Sequence, residues 1–248
     1  MNFNLKQHRI DLACALRWAA KLNLHEGVDN HFSLAVPDDD GAMRGNRFLI
    51  NPYGWHWSEI TASSLVLCND KGDILEGDNE VEDTAFFIHS RIHLETPNAV
   101  CVLHTHMPYA TSITLLESGR LEMVEQNALM FDGRISYDDN YTGLVLGEDE
   151  GNRIANQLDE KSILFMASHG IIVTGPTVGD AFNDLYYLER ASQLQVIAKS
   201  QGCSLRNISE QVRHNIQKQF ISETPKLAKR HFSALRRILD KSEPNYRD

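Results

Sequence analysis

Apolar positions follow two rhythms along this chain, and each rhythm predicts an element. In the stretch 1–22, MNFNLKQHRIDLACALRWAAKL, residues Leu12, Leu16, Ala19 and Ala20 fall on one face at helical spacing, which predicts an amphipathic helix. HFSLAVPDDDGAMRGNRFLINPYG then gives two strand-like runs around a turn-rich middle, and TASSLVLCNDKGDIL gives a second hairpin turning at 69–72. EDTAFFIHSRIHLETP returns to helical spacing, with Ala85 or Phe86, Ile88 and Ile92 in register, and is expected to stop before Pro97. AVCVL reads as a strand, and ILFMASHGIIVTG as two short strands around a turn at 168–170. The clearest helix is TVGDAFNDLYYLERASQLQVIAKSQG. Thr177 is its expected N-cap with Asp180 three residues on, Ala181, Leu185 and Leu188 form its stripe, and Gly202 lies past its end. Strands with short turns mixed with helices predict one α/β domain whose sheet is largely antiparallel.

Composition narrows the class. With 42% hydrophobic and 23% charged residues, the 248-residue chain is ordinary for a globular protein. Its apolar runs fall far short of the roughly 20 residues of a membrane span, so no membrane partner is expected. Asp11 interrupts the first apolar segment and no small-residue cleavage site follows, so that segment reads as a helix of the fold rather than a signal peptide. Cys14, Cys68, Cys101 and Cys203 form no C-x-x-C pair, which points to a reducing, cytoplasmic setting. The net charge of −10 is unevenly spread: from Ser204 onward ten Lys and Arg face five Asp and Glu, leaving a tail of +5 on a body of −15. An acidic body argues against nucleic acid as a partner. The expected organisation is a domain over 1–203 and a basic helical extension over 204–248, including ALRRILDKSEP, lying on the body or on a neighbouring copy. The acidic DDDG at 38–41 lacks the alternating ligands and distant Glu of a calcium loop and reads as a turn.

The candidate chemistry lies in AVCVLHTHMPYATS. Side chains alternate across a strand, so His104 and His106 point to one side, about 6.6 Å apart at roughly 3.3 Å per residue. Two imidazoles so placed can converge on one ion with metal–nitrogen bonds near 2.1 Å. The best third donor is His169, in a turn between apolar strands where Gly170 lets the backbone bend. Three neutral nitrogens with an open position form the pattern of a catalytic metal. An H-x-H pair is also compatible with plain exposed strand residues. A rival exists in His89 and His93, one helical turn apart; without an accompanying Glu this pair reads as capping the helix or facing a neighbour. His25 and His31 have no partner by spacing.

In order along the chain stand DNHFS, INPYGWHWSEITASSLVLCNDKGDIL, FFIHSRIHLETPNAVCVLHTHMPYATSIT, QNALMFDGRISY and SHGIIVTGPTVGDAFNDLYYLE. Together they resemble the class II aldolase/adducin family over roughly residues 5–200, with NPYGWHWSEITASSLV nearer its adducin-like branch than its sugar phosphate aldolases. The resemblance implies a three-layer α/β/α sandwich with an antiparallel-rich central sheet, and a homotetramer with sites between adjacent subunits. It also implies one divalent ion per subunit on His104, His106 and His169, with zinc the first expectation and manganese, iron, cobalt or nickel as alternatives.

Matched residue by residue, the family's catalytic Glu falls on Ala85, which cannot move a proton. Its phosphate-binding Ser-Ser pair falls on Asp83 and Thr84. The Thr of its T-P-x-G loop falls on Asn51, with Pro52 and Gly54 retained. Its G-N-x-S loop keeps Asn30 but replaces the glycine by Asp29. A carboxylate at the phosphate position would repel a dianion by several kcal/mol at about 4 Å, so a phosphorylated sugar is not the expected substrate. Tyr137 falls where the family places a tyrosine that reaches into a neighbour's site; a structural role is equally compatible. The expected small-molecule chemistry is therefore aldolase- or decarboxylase-type C–C cleavage of a non-phosphorylated hydroxycarbonyl or oxo-acid. The alternative is a non-catalytic, adducin-like oligomeric interaction protein.

Overall fold

The structure, a computed structural model, describes residues 4–96 and 98–248. Helix α1 (Leu5–Lys21) begins where the Asn4 side chain accepts the Gln7 N–H, and it buries Leu12, Leu16 and Ala19 as the periodicity predicts. Residues 1–3 of that stretch lie outside the described residues. Two hairpins follow. β1 (His31–Ala35) pairs antiparallel with β2 (Arg47–Ile50), and β3 (Val66–Asn69) with β4 (Ile74–Glu76). The acidic turn at 38–41 is held by its own basic residues: Arg44 binds both carboxylate oxygens of Asp40 at 2.9 and 2.6 Å, and Asp38 is paired with Arg44 as well. These carboxylates hold the turn through Arg44.

Helix α2 (Asp83–Glu95) ends just before Pro97, a residue outside the described set. β5 (Cys101–Thr105) runs two residues further than AVCVL suggested and takes in His104. Then come α3 (Pro108–Thr114), a 3-10 turn at Ala128–Phe131, β6 (Ile135–Asp138), α4 (Glu148–Leu158), β7 (Ile163–Met166), β8 (Ile171–Gly175), α5 (Val178–Lys199) and α6 (Glu210–Ser242). Thr177 caps α5 by accepting the Asp180 N–H, and Ala181, Leu185 and Leu188 are fully buried.

The strands form one mixed eight-stranded sheet in the order β4-β3-β2-β1-β5-β8-β7-β6. Neighbours run antiparallel except β6 and β7, which are parallel and joined through α4. On one face, Ile88 and Ile92 of α2 and Ile154 and Leu158 of α4 pack against Val102, Leu164 and Ile172. On the other, α1, α3, α5 and α6 pack against Leu34, Leu103, Phe165 and Val173. Alternate residues of β5 thus serve opposite cores, the period-2 alternation of a strand buried on both sides. α6 lies along its own chain: Phe232 and Leu239 enter the core, Trp18 donates to the Leu235 carbonyl, and Arg213 and Arg236 pair with Asp132 and Asp11 at 2.7 and 3.1 Å. Among the described residues, no helix is long and apolar enough to cross a membrane.

Candidate metal centre and its pocket

Antiparallel pairing of β5 with β8 sets His104 opposite Ile172 and brings the end of one strand to the start of the other. His106 stands one residue past β5, and His169 in the turn before β8, so sheet register brings together residues more than sixty positions apart. The three rings form a near-equilateral triangle with centroid separations of 5.1 Å (104–106), 4.9 Å (104–169) and 5.1 Å (106–169). One ligand atom from each lies within 4.8 Å of the others.

Each ring is prepared to offer a lone pair. His104 Nδ1 donates to the Ile171 carbonyl at 3.1 Å, which leaves its Nε2 bare. His106 Nε2 is buried with no protein partner, an unsatisfied nitrogen of the kind a bound ion satisfies. Burial holds all three rings neutral. It pushes His104 well below the usual imidazole range, helped by the neighbouring histidines; it lowers His169 to about 4; and it lowers His106 against the opposing pull of Glu26 and Asp29. Imidazole donors suit zinc, iron or nickel, so the residues present fit a divalent ion.

The backbone around the triad explains the glycine. Gly170 does not adopt the left-handed conformation; Ser168 does, at φ 54°. What Gly170 supplies is room: a Cβ there would stand 2.5 Å from His106 Cδ2, 2.7 Å from the Thr105 carbonyl oxygen and 3.3 Å from His104 Cε1. The expected bend is therefore a close approach. α3, starting two residues after His106, is pinned by buried Glu189 of α5, whose carboxylate accepts the Tyr109 and Ala110 N–H groups at 2.9 and 2.8 Å.

The triad lines a cavity of about 250 Å³ whose walls also include Asn30, His31, Asn51, Glu82, Thr84, Ala85, Leu144 and Val145. Asn30 and Asn51 are spent largely on backbone. Asn30 Oδ1 accepts the Glu26 and His106 N–H groups, and Asn51 Oδ1 accepts the Phe32 N–H at 2.8 Å. Gly54 is exposed and outside the cavity wall, and Asp83 is exposed on the first turn of α2. Tyr137 borders a separate cleft with Arg120 and Ser168. There its phenol oxygen accepts the Leu121 N–H at 3.1 Å and Arg120 covers its ring at 4.3 Å. A larger cleft of about 1060 Å³ under α6 holds none of the expected site residues.

Sequence reasoning passed over Glu82. It caps α2 by accepting the Ala85 N–H at 2.8 Å, and its Oε2 lies 3.6 Å from His31 Nε2 in the cavity wall. A carboxylate one helical turn before the vacant position 85 was the available signal. His31, His89 and His93 depart furthest from expectation. Far from being unpartnered, His31 stacks on His104 with centroids 5.1 Å apart, and its Nδ1 lies 3.2 Å from His89 Nε2. His89 and His93 neither cap α2 nor face solvent. Both are buried and meet the Ser33 hydroxyl, at 2.5 and 2.7 Å.

The sheet and the triad define an α/β protein whose adjacent strand ends bring together three imidazoles that could hold a metal ion. Residues 10–196 match the sequence profile of the Class II Aldolase and Adducin N-terminal domain, and the chain belongs to that family. A Pseudomonas aeruginosa protein provisionally named a class 2 aldolase is 31% identical over 246 residues, covering 97% of this chain and 92% of its own. An adducin-related protein of Schizosaccharomyces pombe is 34% identical over 197 residues, 77% of this chain and 59% of its own length. The solved structure of L-fuculose 1-phosphate aldolase from Glaciozyma antarctica superposes with a TM-score of 0.84 at 22% identity, covering 98% of this chain and 92% of that one, which shows the shared fold.

Proposed function

We propose that this protein is a metal-dependent lyase that cleaves a C–C bond in a small non-phosphorylated hydroxycarbonyl compound or oxo-acid. The observation that supports this most is the triad: three neutral imidazoles converge in the wall of a cavity, one of them with a buried, unpartnered nitrogen. A divalent ion held there, zinc by first choice, supplies Lewis-acid stabilisation of the negative charge that develops on a carbonyl oxygen as the bond breaks. The chain's own residues do the rest. His104 is fixed by its bond to Ile171, His106 by Asn30 on its backbone N–H, and Leu144 and Val145 add apolar side chains to the cavity lining. Glu82 adds a carboxylate to the wall near the substrate position, which disfavours a phosphate there. Tyr137, in its separate cleft, is assigned no step within the subunit.

The same reading includes a cytoplasmic homotetramer and an extension over 204–248 that stays on the domain through the α6 contacts. A second reading, an adducin-like interaction protein, is favoured by Ala85, where no acid stands. The deciding experiment loads wild type and His104→Ala/His106→Ala with zinc or manganese and follows aldehyde or carbon dioxide release from hydroxyketones, oxo-acids and sugar phosphates. Metal-dependent turnover of a non-phosphorylated compound, lost in the double variant, supports the lyase. No turnover of any compound by fully loaded wild type favours the second reading.

A further inference from the structure

Behind the triad runs a buried chain of side chains that the metal centre does not use. β1 presents His31 and Ser33 on one face, two residues apart, and α2 presents His89 and His93 one turn apart, so strand and helix periods interlock. The contacts run from His31 Nδ1 to His89 Nε2 (3.2 Å), from His89 Nδ1 to Ser33 Oγ (2.5 Å), from Ser33 Oγ to His93 Nε2 (2.7 Å) and from His93 Nδ1 to the Ala99 carbonyl oxygen (2.8 Å). All four side chains are buried.

The last contact fixes the direction of every proton. A carbonyl only accepts, so His93 carries its proton on Nδ1 and, as a neutral ring, accepts at Nε2. Ser33 therefore spends its single hydroxyl proton on His93 and accepts from His89 Nδ1–H. His89 Nε2 in turn accepts from His31 Nδ1–H. His31 is left with a bare Nε2 that faces the cavity 3.6 Å from Glu82, whose Oε2 already accepts the Ala85 N–H. Burial keeps His93, the ring that sets the direction of the chain, neutral, lowering it to about 4.

We propose that His31 is a specificity-determining residue: held as a proton-free acceptor by Ser33, His89 and His93, it takes a hydrogen bond from a substrate hydroxyl beside the metal centre. This rests on the lyase reading and narrows its substrate class to polyhydroxylated carbonyl compounds, since an oxo-acid lacking a hydroxyl has no donor to offer. A carboxylate or phosphate at this end meets two acceptors, His31 Nε2 and Glu82.

The test is long-range proton–nitrogen correlation on protein labelled with nitrogen-15 histidine, metal-free and zinc-loaded. It is followed by titration of the zinc-loaded protein with dihydroxyacetone and with hydroxyacetone, which lacks one hydroxyl. The expected result is His31 protonated on Nδ1 and bare on Nε2 in both states, with a mixed tautomer in Ser33→Ala. Dihydroxyacetone is expected to bind about fivefold tighter than hydroxyacetone, the net worth of one neutral hydrogen bond, and His31→Phe to lose that preference. A His31 proton on Nε2, a His31 Nε2 resonance that moves with the ligand nitrogens on zinc loading, or equal binding of the two ketones by wild type overturns the inference. Zinc content of the same samples separates the two claims. One zinc per chain without a ketone preference refutes this inference alone, whereas absence of bound zinc refutes the lyase reading together with the substrate role built on it.

Discussion

Replacing Gly170 by alanine tests the geometry of the centre with a single methyl group. The backbone there is open to any residue, so the substitution brings no conformational strain, and the stiffer unfolded chain favours folding by about 0.4–1 kcal/mol. Against this stands the crowding. The new carbon would lie 2.5 Å from the His106 ring and 2.7 Å from the Thr105 carbonyl oxygen, and one of those two is backbone in the middle of the sheet. Overpacking of this kind typically costs about 1–3 kcal/mol. The net expectation is a loss of roughly 1–2 kcal/mol, which for a chain of this size lowers the melting midpoint by roughly 3–6 °C. Relief of the clash moves the His106 ring away from the triad, so zinc affinity should fall by about tenfold or more, as when a ligand's support is removed. Urea unfolding with an unchanged slope reads the first effect, and zinc titration against a competing chelator reads the second. Wild-type stability together with wild-type zinc affinity in Gly170→Ala would refute the close approach and the placement of His106 that depends on it.

Three further expectations follow from the same contacts. His93 has its folded pKa lowered by burial from 6.5 to about 4, so the unfolded chain takes up that proton first as pH falls. Its contribution is full above pH 6.5 and declines by about 3 kcal/mol by pH 4; His89 acts in the same direction. Urea unfolding across this range should therefore give a steeper pH profile for wild type than for His93→Gln, and parallel profiles would contradict the buried chain. The proposed tetramer of 28.1 kDa chains should scatter light as a particle of about 112 kDa at micromolar concentration, and a clean monomer refutes it. Wild type should cleave fuculose and ribulose phosphates poorly. Because Glu82 rather than Asp83 lines the cavity, Glu82→Gln should improve phosphate binding more than Asp83→Ser with Asn51→Thr does; rapid cleavage by wild type sinks the charge argument.

Much of this arrangement was legible before any coordinates. Period-2 and period-3.6 patterns located both hairpins, α2, β5, the β7–β8 pair and α5, because each carries enough apolar residues to show its rhythm. α4 shows little rhythm because Ile154, Ala155 and Leu158 are its main apolar contribution among mostly polar residues, and its close seat on α2 is made at Gly151, which carries no pattern. β6 contributes only four residues, and its parallel partner is distant in sequence. The triad was readable because His104 and His106 stand two residues apart at the end of one strand run and His169 lies in a recognisable turn. The buried His31–His89–Ser33–His93 chain was not, although all four residues were in view. Spacing within one element says which side chains share a face, but pairing a strand face with a helix face requires the tertiary packing. Glu82 was hidden for a related reason: as an N-cap it belongs to α2's start, and only the loop's course turns it toward the cavity.

The central claim is that His104, His106 and His169 hold one divalent ion. Elemental analysis of purified protein, after mild loading with zinc and removal of excess, measures it without any assumption about substrate. One metal per chain in wild type is expected, with near-total loss in His104→Ala/His106→Ala that still folds by circular dichroism. Equal metal content in the two proteins, or none in wild type, would contradict the account.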